Sequence, residues 1–293
     1  MLKGQIVRAL SSFYYIKHEQ EIYESKARGL FKLKEETPLV GDYVNFVLID
    51  NNSGLITELL SRKNELKRPP ISNVDQVLIV ISGVDPEINT YTLDKFIIHI
   101  EQAGIPLILC FTKSDLLQNQ TPIDDIINVY KNIGYQTIKS DFSVTDLEHL
   151  QLLLADKTTV LAGQSGVGKS TLLNRLIPAA EANIGGVSER LGRGKQTTRE
   201  VQLYPIQSGG MVADTPGFSQ LDFAEIEAED LSSLFIEFSK YAENCRFRGC
   251  KHHNEPGCAV KAAVAEGKIV TWRYENYLSF LNEITERDEQ KWR

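Results

Sequence analysis

The sequence has no long hydrophobic run, which argues against a membrane-spanning helix. Apolar stretches such as VLIVI at 77–81 are far shorter than the roughly 20 residues that such a helix needs. The first residues, MLKGQIVRALSSFYY, also lack the apolar core of roughly 7–15 residues that marks a signal peptide. The 4 cysteines among 293 residues are too few for a disulfide framework. We therefore expect a soluble cytoplasmic protein that has no membrane partner.

The sequence also has no excess of positive charge, because its net charge is −7. This balance excludes a uniformly basic surface for nucleic acid, but it permits a local basic patch. One such patch is indicated by a cluster of positive residues, which are Arg190, Arg193, Lys195 and Arg199. The 42% hydrophobic and 24% charged residues are typical of a folded globular protein, so wholesale disorder is excluded as well.

The sequence pattern changes twice along the chain, which predicts three domains. Residues 1–65 are β-rich and punctuated by glycine and asparagine, as in a small OB-fold or SH3-like barrel. Residues 64–70 (NELKRPP) are predicted to be a linker, because paired prolines do not continue strands or helices. Residues 66–222 alternate apolar strands with helical segments, which indicates a doubly wound, mainly parallel sheet. Residues 223–293 are predicted to be helical, starting with 225–245.

The middle region carries the clearest secondary-structure signals. Short apolar runs predict buried strands at 77–82, 106–113, 135–140, 158–163, 201–206 and 209–215. Two amphipathic segments, at 92–104 and 123–134, predict helices.

One segment of the middle region matches the phosphate-binding pattern G-x-x-x-x-G-K-[ST]. This is GQSGVGKS at 163–170, which lies between a predicted strand and a predicted helix, as the pattern requires. Glycines let the backbone approach phosphate oxygens, and the helix directs free N–H groups at them. We expect Lys169 to neutralise the β- and γ-phosphates and Ser170 to bind Mg²⁺. The predicted phosphate contacts are Gly163, Gln164, Ser165, Gly166, Val167, Gly168, Lys169, Ser170 and Thr171.

Two further segments suggest that the nucleotide is GTP. In ADTPG at 213–217, Asp214 is expected to hold Mg²⁺ through water, and the Gly217 N–H to contact the γ-phosphate. TKSD at 112–115 is similar to the N-K-x-D sequence of GTPases, whose Asp accepts two hydrogen bonds that adenine does not donate. The predicted base contacts are Thr112, Lys113, Ser114 and Asp115, with Ser140 and Asp141 as a second set.

The order of these segments indicates a circular permutation. TKSD precedes the phosphate loop and DTPG, whereas in Ras-like GTPases the segment that contacts the base follows the phosphate loop and lies late in the chain. Between the phosphate loop and DTPG lies a polar, basic segment, residues 185–204, which we interpret as a switch loop. Within it, Thr198, or alternatively Thr197, is expected to bind Mg²⁺. Phe218 stands where Ras-like proteins carry a water-positioning Gln, which predicts slow intrinsic hydrolysis.

The C-terminal region contains a group of residues suited to zinc. Three cysteines and a histidine in the spacing C-x₄-C-x-H-x₅-C form the ligand set of a closed tetrahedral structural site. The predicted ligands are Cys245, Cys250, His252 and Cys258, with His253 as a competing ligand. Cys110 is expected in the core. The core is also the preferred position for several aromatic residues, with stacking on RNA bases as the alternative: Phe13, Tyr14, Tyr15, Phe247, Trp272, Tyr274, Tyr277 and Phe280.

Together GQSGVGKST, GRGKQTTR, ADTPGF and the Cys/His cluster resemble one family, the circularly permuted GTPases of the RsgA (YjeQ or YloQ) type. The resemblance covers nearly the whole chain. It implies an N-terminal OB-fold that contacts rRNA and GTP hydrolysis stimulated by the small ribosomal subunit during its late maturation. Gln196 stands where the family pattern carries a histidine, a candidate catalytic residue; Gln can position water but cannot act as a base.

The main hypothesis is therefore a monomeric, Mg²⁺-dependent GTPase that holds one structural Zn²⁺. It would act on the small ribosomal subunit and contact rRNA through its barrel and its zinc domain. Two alternatives remain, an ATP-using P-loop enzyme and an RNA-binding scaffold whose nucleotide is structural. Equal use of ATP and GTP would favour the first, and subunit binding that ignores the GTP or GDP state would favour the second.

Overall fold

A computed structural model describes residues 1–27, 37–113, 121–177, 201–214 and 221–291. Several residues that carry predictions lie outside these ranges: Ser114, Asp115, Arg190, Arg193, Lys195, Gln196, Thr197, Thr198, Arg199, Gly217 and Phe218.

The first five strands form a closed, OB-like barrel, which confirms the predicted fold of this region. They are β1 (Leu2–Leu10), β2 (Phe13–His18), β3 (Glu21–Ala27), β4 (Tyr43–Leu48) and β5 (Ser53–Leu59). Strand β1 pairs with both β2 and β4, and β3 pairs with β5, so the sheet closes on itself. Apolar side chains that alternate along the strands fill the interior, including Ile6, Ile16, Phe46 and Ile56.

The predicted linker is a short hairpin, so the expectation of no strand in this segment was wrong. Strands β6 (Glu65–Lys67) and β7 (Pro70–Ser72) pair in antiparallel register. The prolines are compatible with this pairing because Pro69 lies in the turn and Pro70 is the first residue of its strand, where a missing N–H is tolerated.

The middle region is a doubly wound sheet, as predicted. Its strands are β8 (Gln76–Ser82), β9 (Leu107–Thr112), β10 (Gln136–Ser140), β11 (Thr158–Ala162), β12 (Gln202–Pro205) and β13 (Met211–Asp214). The strand order is β10-β9-β8-β11-β13-β12, and every neighbouring pair is parallel except β12–β13. All seven residues of the central strand β8 are buried, which explains its continuous apolar sequence.

In the part of the chain that the structure describes, four helices pack on this sheet. They are α1 (Thr90–Gln102), α2 (Thr121–Ile133), α3 (Val144–Leu154) and α4 (Lys169–Leu176). The sequence reasoning missed α3, although it has a start signal: the side chain of Ser143 accepts a hydrogen bond from the N–H of Asp146.

The C-terminal region is helical, but its first part is broken into short turns. Two 3₁₀ turns (Leu231–Leu234 and Ile236–Phe238) precede α5 (Ser239–Ala242), α6 (Ala259–Ala265) and α7 (Thr271–Lys291). The prediction of one helix over 225–245 was therefore wrong. Phe235 has φ −92° and ψ 87°, which interrupts the helical backbone between the two turns. Among the residues that the structure describes, no helix combines the length and hydrophobicity needed to cross a membrane.

The barrel and the middle sheet are continuous. Strand β1 of the barrel pairs antiparallel with β12 at Arg8 and Gln202. The resulting sheet has 11 strands and one apolar core that extends from the barrel into the middle region.

A buried group of charged side chains joins the C-terminal helices to the middle region. The fully buried guanidinium of Arg273, on α7, donates to both carboxylate oxygens of Glu237, over 2.8 and 3.0 Å. It also donates to Asp94 on α1. Asp94 accepts two further hydrogen bonds, from Tyr130 over 2.6 Å and from Asn276 over 2.7 Å. Each buried charge therefore has both an opposite charge and hydrogen-bond partners, which a buried ion pair requires.

We expect Arg273→Met to destabilise the protein strongly, because it leaves the carboxylates of Asp94 and Glu237 buried without their cation. The expected loss is about 3–5 kcal/mol in the free energy of unfolding, measured by urea denaturation. Lys268→Ala is the control, since this residue forms an ion pair with Glu266 in which both side chains are 57% exposed. The control is expected to unfold like wild type, and equal midpoints for all three proteins would contradict the structural role of Arg273.

Candidate nucleotide-binding and zinc sites

The predicted phosphate loop connects β11 to α4 and has the backbone that its glycines allow. Gly163, Gly166 and Gly168 have φ values of +132°, +86° and +104°. A β-carbon at residue 163 would lie 2.3 Å from the carbonyl oxygen of Val80, so glycine is required there.

The amino end of α4 is suited to an anion. The helix starts at Lys169, and the first N–H groups of an α-helix have no partner within the helix. The ammonium of Lys169 donates to the carbonyl oxygens of Gly163, over 2.9 Å, and Gln164, over 2.7 Å, so it lies across the loop. Ser170 follows in the first turn and is exposed. Backbone dipoles and one positive charge thus meet at the position where phosphates would bind.

Asp214 lies at the carboxyl end of β13, beside the strand that leads into this loop. Strand β13 runs parallel to β11, with Asp214 opposite Leu161. The parallel pairing therefore brings the backbone of Asp214, the first residue of DTPG, close to the start of the phosphate loop.

The described part of TKSD is fixed to the phosphate loop. The buried hydroxyl of Thr112 donates to the carbonyl oxygen of Val167 over 2.9 Å, and it lies 3.2 Å from the carbonyl oxygen of Ile81. The ammonium of Lys113 donates to the carbonyl oxygens of Gly166, over 3.0 Å, and Asp85, over 2.6 Å. Thr112 thus joins the end of β9 to the phosphate loop and to β8 through its hydroxyl.

The second set of predicted base contacts lies at the end of the neighbouring strand. Ser140 pairs with Thr112 across β10 and β9. The hydroxyl of Ser140 accepts from the Phe142 N–H over 3.1 Å, and the Asp141 carboxylate accepts from the Ser143 N–H over 2.7 Å. The hydrogen bond from the Ser143 backbone is the main reason that the pKa of Asp141 lies below its ordinary value. Both predicted side chains therefore shape the backbone of their own loop.

Sequence reasoning missed the loop after β8, which also reaches this site. The Ser82 hydroxyl accepts from the N–H groups of Val84, over 3.3 Å, and Asp85, over 3.1 Å. This turn presents the Asp85 carbonyl to Lys113. The sequence SGVDP, with its glycine and proline, indicates a turn but not its contact with a residue further along the chain.

The segment 221–226, which follows DTPG in the chain, is held by ion pairs to the hairpin after the barrel. Glu225 pairs with Lys67 over 2.8 Å, and Asp222 pairs with Arg68 over 2.7 Å. These contacts connect the chain after DTPG to the hairpin on the barrel side of the molecule.

The same segment packs on α1 through an aromatic contact. The rings of Phe223 and His99 are stacked, with centroids 5.7 Å apart and an angle of 13°. Burial is the main cause that lowers the pKa of His99 to about 4, so its ring is neutral at physiological pH. A cavity of about 330 Å³ separates this contact from the hairpin.

The four predicted zinc ligands are brought together. Tetrahedral Zn²⁺ places two sulfur ligands about 3.8 Å apart, and sulfur and nitrogen about 3.6 Å apart. The Cys245 and Cys258 Sγ atoms are 3.9 Å apart, and His252 Nδ1 lies 3.6 and 3.3 Å from them. With Cys250, all four ligand atoms lie within 4.8 Å of one another. The donor set and its spacing therefore fit one zinc ion, whereas His253 is exposed and outside the group.

The surroundings of this group favour a bound metal. Burial is the first of the causes that raise the pKa of the Cys250 thiol to about 12, so a cation is needed to form the thiolate. The N–H of Lys261 donates to the Cys258 sulfur, which caps α6. Tyr274 and Tyr277 of α7 donate to the carbonyl oxygens of His252, over 2.6 Å, and Lys251, over 2.5 Å. The ligand loop is thereby fixed to the longest described helix.

Known proteins match the chain along nearly its whole length. Residues 3–56 match the RsgA N-terminal domain, and residues 59–224 match the RsgA GTPase family. The small ribosomal subunit biogenesis GTPase RsgA of Bacillus cytotoxicus is 47% identical over 290 residues, which cover 98% of this chain and 99% of that protein. The crystal structure of YloQ, a circularly permuted GTPase, matches with a TM-score of 0.82 and 40% identity, over 98% of this chain and 96% of that one. The crystal structure of YjeQ from Thermotoga maritima matches with a TM-score of 0.83 and 34% identity, over 97% of this chain and 98% of that one.

We expect the purified protein to carry about one zinc ion, and Cys245→Ser to lose it, because a structural site needs all four ligands. Elemental analysis measures the metal, and thermal unfolding measures the accompanying loss of stability. Cys110→Ala is the matched control, since this cysteine is buried in β9 outside the ligand group and its loss should leave the zinc content unchanged. Full zinc content in Cys245→Ser would contradict the assigned ligand set.

Proposed function

Because the chain belongs to the RsgA family of circularly permuted GTPases, we propose that it hydrolyses GTP in the late maturation of the small ribosomal subunit. One observation carries the proposal: the TKSD segment and the phosphate loop are hydrogen-bonded to each other through Thr112 and Lys113. A base-reading segment is thereby held at a fixed distance from a phosphate-binding segment, which is what recognition of a whole nucleotide requires.

In this proposal the phosphates bind to the backbone of residues 163–171 and to Lys169. Mg²⁺ would be held by Ser170, Asp214 and Thr198, and when bound it neutralises the phosphate charge that builds up during hydrolysis. The exposed hydroxyl of Ser170 in the first turn of α4 fits this role. Gly217 would meet the γ-phosphate, while Ser114 and Asp115 would read the guanine.

The proposed enzyme turns over slowly alone and faster on its partner. Phe218 cannot orient a water molecule, and Gln196 can position water but cannot accept its proton. The partner is the small ribosomal subunit with its rRNA, and the nucleotide cycles between GTP and GDP. The chain would act as a monomer of three domains (1–65, 66–222 and 223–293).

The barrel supports contact with RNA because three of its aromatic rings are paired with positive side chains. The paired residues are Lys3 with Tyr43, Arg8 with Tyr15 and Lys26 with Phe13, at 5.4, 5.7 and 4.9 Å from the ring centroids. Phe13, Tyr14 and Tyr15 are half-buried, so none of them is a fully buried core residue. Rings next to positive charge combine base stacking with attraction to phosphates.

The zinc loop offers a second surface of the same kind. Tyr277 and Phe280 are fully buried, as the preference for the core predicted. Phe247 is 45% exposed, so the core prediction was wrong for this residue. The Arg246 guanidinium lies 5.4 Å from the centroid of the Phe247 ring, and Arg248 is the next residue after Phe247. A metal-held loop with an exposed ring and two arginines is suited to an unpaired RNA base.

The first experiment measures GTP and ATP hydrolysis with and without purified small ribosomal subunits. We expect GTP turnover to rise strongly with subunits, little ATP turnover, and loss of GTP turnover in Lys169→Ala, which lacks the charge at the phosphates. Lys157→Ala is the matched control. Lys157 lies just before β11 and its ammonium donates to the side chain of Gln76, so its removal should leave GTP turnover unchanged.

Two results would contradict this function. Equal use of ATP and GTP would favour an ATP-using enzyme. Intact subunit binding without any stimulation of GTP turnover would favour an RNA-binding scaffold.

We expect Phe247→Ala to weaken binding to small subunits about tenfold, because stacking on one base contributes about 1–3 kcal/mol. Phe247→Trp should restore binding, and Leu152→Ala, which removes another exposed apolar side chain on α3, should have no effect. Sedimentation with subunits measures binding, and zinc content and GTP turnover without subunits should be unchanged in all three variants. Wild-type binding by Phe247→Ala would show that this ring does not contact the subunit.

A further inference from the structure

The loop between β10 and α3 has a backbone that local sequence preference does not favour. Phe142 is buried and has φ +63°, a left-handed conformation that a residue with a β-carbon keeps only when surrounding contacts fix it. The hydroxyl of Ser140 and the carboxylate of Asp141 accept N–H groups within this loop. Residues that surrounding contacts hold in an unfavourable backbone conformation are concentrated at functional sites. The contacts that hold Phe142 are therefore of functional interest.

Two contacts fix Phe142 to the phosphate-binding side of the molecule. Its carbonyl oxygen accepts a hydrogen bond from the guanidinium of Arg175, which lies on α4, the helix that starts at Lys169. Its ring packs beside Gly168, where a β-carbon would lie 3.3 Å from the ring. The loop on the base side is therefore attached to the phosphate loop and to its helix.

The attachment matters because this loop borders the place where the base would lie. Ser140 is adjacent to Thr112 across two parallel strands, and Thr112 begins the TKSD segment. TKSD has its own hydrogen bonds to Gly166 and Val167, whereas Arg175 is the polar side chain from α4 that holds the Phe142 carbonyl. Without Arg175, this partly buried carbonyl would lose a charged donor, and the loop could leave the position that borders the base.

We propose that Arg175 is a positioning residue for the guanine base. Through the Phe142 carbonyl it fixes the loop Ser140–Ser143 relative to α4, and it thereby sets the affinity for the base without contributing to phosphate binding. This inference rests on the proposed function, since it requires that the site binds a guanine nucleotide.

The test compares a ligand that has a base with one that lacks it. GDP and inorganic tripolyphosphate both bind the phosphate loop, but only GDP reaches the loop Ser140–Ser143. In Arg175→Gln we expect GDP to bind about tenfold more weakly, as for loss of one charged hydrogen bond, while tripolyphosphate affinity stays within about twofold of wild type. With subunits present, KM for GTP should rise while kcat at saturation is unchanged. Fluorescent-GDP displacement measures both affinities.

Three variants separate positioning from general damage. Arg175→Lys retains a positive donor and should recover most of the GDP affinity. Asn174→Ala changes the exposed neighbouring residue on the same helix and should match wild type. Lys169→Ala should weaken tripolyphosphate as well as GDP, which is the pattern expected for a residue that binds phosphate.

The results that would overturn the inference are distinct. Wild-type GDP affinity in Arg175→Gln, or equal weakening of GDP and tripolyphosphate, shows that Arg175 does not act on the base side. If wild type binds ADP as tightly as GDP, the guanine assignment fails, and this inference fails with it. If wild type prefers GDP and Arg175→Gln keeps that affinity, only the inference is wrong.

Discussion

The buried guanidinium of Arg273 joins the C-terminal helices to the middle region. It is satisfied only when Asp94 of α1 and Glu237 of the second 3₁₀ turn are both in place, so three separate segments must come together at once. Helix α1 begins shortly after Asp85, whose carbonyl holds Lys113. Helix α1 therefore lies between the loop that contacts Lys113 and the C-terminal helices to which Arg273 attaches it.

The elements that the sequence predicted well are those whose environment is uniform. Strand β8 is buried on both faces, so its five central residues, 77–81, are apolar without interruption and the strand is evident from composition alone. The turns over 231–238 are different. Their apolar residues have a helical spacing because they face a core, but the backbone at Phe235 follows the packing of its ring against Phe238 and Tyr277 rather than helical preference. Local pattern identifies which residues are buried, and tertiary packing decides the backbone that buries them.

The same division applies to the candidate sites. The phosphate loop and the zinc ligands are short contiguous motifs, so the local sequence identified them, and the ligand atoms converge with His252 rather than the competing His253. The contacts that hold the base side could not be predicted, because the Thr112 hydroxyl and the Phe142 carbonyl meet partners 55 and 33 residues away. No local pattern encodes such distances. Phe247 shows a further limit, since a ring spaced like a core residue is 45% exposed on the loop that carries the candidate zinc ligands.

The permuted order of the chain also determines when the nucleotide site is completed during protein synthesis. Strands β8, β9 and β10 are consecutive in the chain and adjacent in the sheet, so they are synthesised together as a unit. Thr112 and Lys113 nevertheless depend on carbonyl groups of Val167 and Gly166, which leave the ribosome 55 and 53 residues later. The nascent chain thus carries strand β9 well before the loop that anchors its end. The contacts between TKSD and the phosphate loop can therefore form only once the second half of the domain has been translated.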